Sequence, residues 1–180
     1  MKKNSKASLL WLDLEMTGLD VQRDRILEVG AIATNWQLQE IARFTAVVKV
    51  SPRLIKKRMT SEFWDKNAKT RDNLIEQNRD GEPAWVVEDN LIKFINDNFN
   101  TKKPIYLAGN SVWNDQRFIE KEWPQLNTKL HYRILDVSAW KIVFENMFDS
   151  KFAKAEDHRA INDIEGSIAE LKQYLAKFKK

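Results

Sequence analysis

Three short β-type runs follow one another near the start of the chain, and then the hydrophobic period changes; few architectures accept that order. Leu9–Leu14 (LLWLDL) is short and nearly all apolar, which predicts a buried strand. Arg25–Thr34 (RILEVGAIAT) predicts a second strand, and Phe44–Val50, rich in β-branched residues, a third. Short adjacent strands joined by polar connections, with Thr17-Gly18-Leu19-Asp20 as a turn, suggest an antiparallel meander. Residues 52–83 are polar, with helical fragments around Glu62–Trp64 and Asp72–Gln77. From Val87, apolar residues at Leu91, Phe94, Ile95 and Phe99 mark one helix face. Pro104–Ala108 predicts a fourth strand, ending at Gly109-Asn110-Ser111, and a short helix from about Asp115 that Pro124 ends. Arg133–Val137 predicts a fifth strand, with Ser138 capping the helix that carries Trp140, Val143, Phe144 and Met147. A last helix runs from about Arg159 to Phe178. Strands first, then helices alternating with strands, give an α/β domain with a mixed five-stranded sheet flanked by helices.

No repeat or Ser/Gly/Pro linker divides residues 1–180, so one domain is expected, with 1–7 and 179–180 as flexible ends. The chain contains no Cys, which excludes disulfide scaffolds, thiolate zinc sites and cysteine nucleophiles. No apolar run is long enough for a membrane span, and no signal-peptide core follows the basic start, so a soluble cytoplasmic protein is expected. The net charge of +4 mildly favours a polyanionic partner, although lysines at the two ends also serve solubility.

The informative residues are acids inside apolar elements. Asp13 and Glu15 lie two apart on the first strand, hence on one face. Paired carboxylates repel, and burial raises their cost, so a divalent cation between them is one solution; a solvated turn at Glu15 is the plainer one. Asp115 follows the fourth strand, where an acid can also cap a helix or complement its dipole. Asp163 sits between Ile161 and Ile164 of the last helix, where it either joins the site or flanks the stripe in water. His158, one of 2 His, stands five residues earlier, and its ordinary pKa suits proton transfer. Four acids on three separate elements and a His match what two-metal phosphodiester hydrolysis needs. No Gly-rich phosphate loop competes with this reading.

Three motifs carry a resemblance. Asp13-Leu14-Glu15-Met16-Thr17-Gly18-Leu19, then Gly109-Asn110-Ser111 with Asp115, then His158 with Asp163, resemble the three exonuclease motifs of the histidine-bearing branch of the DEDD superfamily. The run Asp13–Leu19 and His131–Ser138 (HYRILDVS) is similar to the oligoribonuclease family, over about Leu9 to Tyr174. The resemblance implies an RNase H-like (exonuclease) fold. It implies two divalent cations, Mg²⁺ or Mn²⁺, held by Asp13, Glu15, Asp115 and Asp163, with His158 as general base. It implies 3′-to-5′ hydrolysis of short RNA oligonucleotides, especially 5′-phosphorylated dinucleotides, to 5′-mononucleotides, by a homodimer. Leu19 and Trp64 would pack on the 3′ base; Ser111, Arg133 and Ser138 would grip the 5′ phosphate, and Tyr132 would stack on the 5′ base. Tyr132 and Arg133 would complete the site of the other subunit.

The chain departs from that pattern in places. Lys69 stands where a 5′-phosphate-binding His is usual, so the cationic role persists with a different geometry. Asp72-Asn73, Gln116, Glu156-Asp157 and Asn162 are further departures, and they bear on substrate length more than on chemistry. Alternatives on the same fold are an exonuclease acting on longer RNA or DNA 3′ ends and a catalytically silent nucleic-acid-binding protein. Trp113, Trp123 and Trp140 are candidates for a dimer surface, or else core or rim residues.

Overall fold

The computed structural model describes residues 6–152 and 159–178. Strands β1 (Leu9–Met16), β2 (Ile26–Thr34) and β3 (Glu40–Val47) come first. Helices α1 (Pro52–Arg58), α2 (Glu62–Lys66), α3 (Ala68–Gln77) and α4 (Ala84–Asn98) follow, then β4 (Tyr106–Gly109). The chain continues through α5 (Trp113–Glu122), α6 (Pro124–Asn127), β5 (Leu135–Asp136), α7 (Val137–Met147) and α8 (Ala160–Ala176). The sheet has 5 strands in the order β3-β2-β1-β4-β5. β1–β2 and β2–β3 are antiparallel, as the meander predicts, whereas β4 pairs parallel to both β1 and β5. None of the helices is long and apolar enough to cross a membrane, among the described residues.

The two faces of β1 separate the core into layers. Leu10, Leu12, Leu14 and Met16 pack with Val87, Leu91, Phe94 and Ile95 of α4 and with Phe118 and Ile119 of α5. Leu9 and Trp11 face the other way, onto Val137 and Phe144 of α7 and Ile164, Ile168 and Tyr174 of α8. A third cluster, with Leu27, Val50, Ile55, Met59, Trp64 and Leu74, holds α1–α3 against the sheet. Each such large side chain contributes roughly 1.5–3 kcal/mol when fully buried.

Several expectations are corrected. The helical fragments expected around Glu62–Trp64 and Asp72–Gln77 fall in α2 and α3, but the polar stretch also holds α1, where Ser51 accepts from the Leu54 N–H and Pro52 opens a helix with a thin apolar stripe. Pro124 does not merely follow α5; it opens α6. Asp136, not Ser138, caps α7, its carboxylate accepting from the Ser138 N–H. Trp123 is fully buried and its indole N–H donates to the Ala84 carbonyl, so it belongs to the core and not to a surface. At the chain start, Ala7 is buried and its N–H donates to Asn98 O at 2.9 Å. Residues 1–5 and 179–180 lie outside the described residues.

One close approach positions α8. A Cβ at Gly30 of β2 would meet Ala160 Cβ at 2.9 Å and the Ile161 backbone nitrogen at 3.0 Å. Backbone cannot yield as a flexible side chain does, so Gly30→Ala should force α8 outward and cost about 2 kcal/mol by overpacking. Urea unfolding measures this; an unchanged midpoint would show that the approach is not a constraint.

Candidate active site

The acids gather where the parallel strands end. β1 pairs with β4 over Leu9–Trp11 and Tyr106–Ala108 only, so the rest of β1 runs past its neighbour. Asp13 and Glu15 continue the face of Leu9 and Trp11, toward the start of α8. Asp163 lies in the first turn of α8, its N–H donating to Arg159 O at 3.0 Å. Ligand oxygens of Asp13, Glu15 and Asp163 all lie within 4.8 Å of one another. Burial first, then the charges of Asp163 and Glu28, pushes the Glu15 carboxyl up to about 8, against relief from Arg159.

Asp115 reaches the same strand from α5. It is buried, and its Oδ1 accepts from the Leu14 N–H at 2.9 Å, the strand-edge donor that β4 stops short of. Burial raises this carboxyl to about 7; the Leu14 amide opposes the rise and the Asp136 charge adds to it. The carboxylates of Asp13, Glu15 and Asp163, hard oxygen donors within 4.8 Å of one another, fit a divalent cation. His158 lies outside the described residues.

Beside Glu15 opens a cavity of about 550 Å³, lined among others by Thr17, Leu19, Arg58, Phe63 and Trp64. Leu19 is 68% exposed at its mouth. Trp64 is only 3% exposed: it forms the wall, its indole N–H donating to Thr17 O at 3.2 Å. Sequence reasoning missed the group that holds this wall, Asp24. Its buried carboxylate accepts from Thr17 Oγ1 (2.9 Å), the Asp20 N–H (2.9 Å) and the Arg58 guanidinium (2.6 and 2.8 Å). An acid between Arg23 and Arg25 in a turn reads as surface charge, and nothing local in the sequence distinguishes it.

The second motif forms another corner. Ser111, at φ 50, donates its N–H to Ser138 Oγ (2.9 Å) and Asp136 Oδ1 (3.0 Å), and the two hydroxyls are 3.1 Å apart. Tyr132 is 73% exposed, with the Arg133 guanidinium 5.1 Å from its ring centre. Neither Tyr132 nor Arg133 lines the cavity at Leu19, and Lys69 is exposed on α3. The structure thus brings together Asp13, Glu15 and Asp163; Asp115 with β1; Leu19 with Trp64; and Ser111 with Ser138.

A mixed sheet with carboxylates at the ends of its parallel strands, next to an open cavity, suits a nuclease-type hydrolase, and the chain belongs to the exonuclease family, whose sequence model matches residues 10–171. Among its relatives are oligoribonucleases. That of Francisella tularensis subsp. tularensis strain WY96-3418 is 36% identical over 175 residues, covering 96% of this chain and 97% of its own. That of Coxiella burnetii is 35% identical over 175 residues, covering 96% and 94%. In structure the chain is similar to exonuclease I of Methylocaldum szegediense (TM-score 0.64, 14% identity, 95% of this chain). It is also similar to E. coli exonuclease I in complex with a dT13 oligonucleotide (TM-score 0.65, 13% identity, 93% of this chain). It spans 40% of either of those chains, and the likeness shows the shared RNase H-like fold.

Proposed function

We propose that this protein is a 3′-to-5′ exoribonuclease that hydrolyses short oligoribonucleotides, 5′-phosphorylated dinucleotides above all, to 5′-mononucleotides, and that it works as a homodimer. The observation that carries the reading is the convergence of Asp13, Glu15 and Asp163 within 4.8 Å beside the cavity at Leu19. The oligoribonuclease relatives supply the substrate class.

Asp13, Glu15, Asp115 and Asp163 would hold two divalent cations, Mg²⁺ or Mn²⁺, which when bound lower the pKa of water and offset charge on the phosphate. Leu19 at the mouth and Trp64 in the wall give the 3′ base an apolar slot. Ser111 and Ser138, already hydrogen-bonded to each other, would with Lys69 and Arg133 receive the 5′ phosphate. The exposed Tyr132 ring would stack on the 5′ base, a contact worth roughly 1–3 kcal/mol. Its exposure outside the cavity suits delivery to the site of a second subunit. His158 would take the proton of the attacking water while the P–O3′ bond breaks, and the 3′ oxygen would leave with a proton drawn from solvent.

One digestion series tests the proposal. 5′-Phosphorylated RNAs of increasing length, from the dinucleotide upward, are offered with Mg²⁺, Mn²⁺ or a chelator. The expected result is metal-dependent release of 5′-mononucleotides, fastest from the dinucleotide. Length-independent trimming would overturn the dinucleotide preference, and no product with either metal would overturn the enzyme.

A further inference from the structure

Behind the carboxylate cluster lies a second, fully paired set of charges that none of the chemistry above uses. Glu28 of β2 is 5% exposed and is the cross-strand partner of Glu15. A carboxylate so placed, one residue pair from a crowd of other acids, is costly unless it is neutralised and hydrogen-bonded. Its partners come from two helices. The Arg159 guanidinium donates to Glu28 Oε2 at 3.1 Å, and through Nε toward Oε1 at 3.5 Å. The Gln77 amide, at the end of α3, donates to Glu28 Oε2 and accepts from Arg159 Nη2 at 3.1 Å. The three side chains close a ring in which donors and acceptors match.

Arg159 is also the residue immediately before α8. Its carbonyl accepts from the Asp163 N–H at 3.0 Å, so the first turn of the helix hangs from it. The next residue, Ala160, is the one that closes on Gly30. Side chain, carbonyl and the following residue therefore all register the start of α8 on β2, one helical turn before Asp163.

We propose that Arg159, acting through Glu28 and Gln77, is a positioning residue that sets the start of α8 and thereby places Asp163 in the cluster with Asp13 and Glu15. The inference rests on the reading of that cluster as the metal site. Arg suits the task because its planar fork fixes direction as well as charge; a lysine in its place would neutralise Glu28 without holding the helix in register.

The test compares Arg159→Gln and Arg159→Lys with the parent protein by calorimetric Mn²⁺ titration without substrate. It adds amide hydrogen exchange of the first α8 turn, melting temperature and dinucleotide kinetics. Positioning predicts about tenfold weaker Mn²⁺ binding and faster exchange at the start of α8 in Arg159→Gln. It also predicts kcat lowered about tenfold with KM changed by less than about threefold, and intermediate values for Arg159→Lys. Lower melting temperatures with Mn²⁺ affinity and kcat unchanged would reduce Arg159 to a stabilising ion pair and overturn the proposal. Should Arg159→Gln fail to fold, Arg159→Lys and Glu28→Gln decide by the same readouts. Asp163→Asn is the control: if it binds Mn²⁺ as the parent does, the metal-site reading fails rather than the positioning role.

Discussion

Asp13→Asn should lower hydrolysis by at least about 10³-fold and leave the fold intact, because it removes a carboxylate the site needs for electrostatics and not for packing. Asn has nearly the same shape, so the variant should fold as the parent does. The sharper signature is linkage. The parent should gain stability on addition of Mn²⁺, since a ligand that binds only the folded state stabilises it, and the variant should gain far less. pH supplies the sign. Glu15 is raised from 4.5 to about 8 by burial and by Asp163, so the folded protein binds a proton that the unfolded chain has already lost. Without metal, stability should therefore fall as pH rises from about 4.5 to about 8, and saturating Mn²⁺ should flatten that fall. Thermal melts of the two proteins across this range, with and without Mn²⁺, check it. Normal turnover in Asp13→Asn, or identical Mn²⁺ responses, would remove Asp13 from the site.

Asp24→Ala should be the most destabilising substitution outside the hydrophobic layers, costing about 3 kcal/mol by breaking a buried pair from one side. It strands the Arg58 guanidinium and the donors of Thr17 and Asp20, all of which lose their hydrogen bonds to this carboxylate. The loop that carries Leu19 should loosen with it, raising KM for dinucleotide. Burial works against the Asp24 charge, but the hydrogen bonds from Arg58, the Asp20 amide and Thr17 outweigh it and hold the carboxyl below 3.8. A depressed folded value stabilises above the unfolded pKa and is lost as pH falls through the folded one. The deficit of the variant should thus be complete at neutral pH and shrink below about pH 4. Urea titrations at several pH values measure it; a deficit under about 1 kcal/mol, or one independent of pH, would contradict the role given to Asp24.

What could be read from the sequence follows the reach of its signals. A period of two places Asp13 and Glu15 on one face only if the strand continues past Leu14, which the sequence left open against a solvated turn at Glu15; β1 does run on through Met16. The fold class was legible in strands and helices long enough to show their period. α2 and α3 were legible only as the fragments Glu62–Trp64 and Asp72–Gln77, and α1 not at all, because the hydrophobic set that holds them is dispersed over Leu27, Val50, Met59, Trp64 and Leu74 and is assembled only in space. β5 reads longer than its two paired residues because RILDV is apolar for packing as much as for pairing. Asp136 and Ser138 are both chemically able to cap α7, and only the backbone at Asp136 decides between them. Trp123 was ambiguous by residue type, since an indole can lie at a rim or, given an acceptor such as Ala84 O, in the core. Asp24 and Arg159 escaped altogether: both are charges whose partners lie far along the chain, Arg58 and Glu28.

The carboxylate of Asp115 serves the fold as well as the proposed metal site, and this limits how the scaffold can be redesigned. Oδ1 closes the exposed edge of the central strand by taking the Leu14 amide, as a neighbouring strand would. An engineer wishing to silence the enzyme yet keep it as a nucleic-acid trap should choose Asn at this position, which keeps an acceptor for that amide. Replacement by Lys, Ser or Ala would unbutton the edge and turn a catalytic knockout into a folding defect.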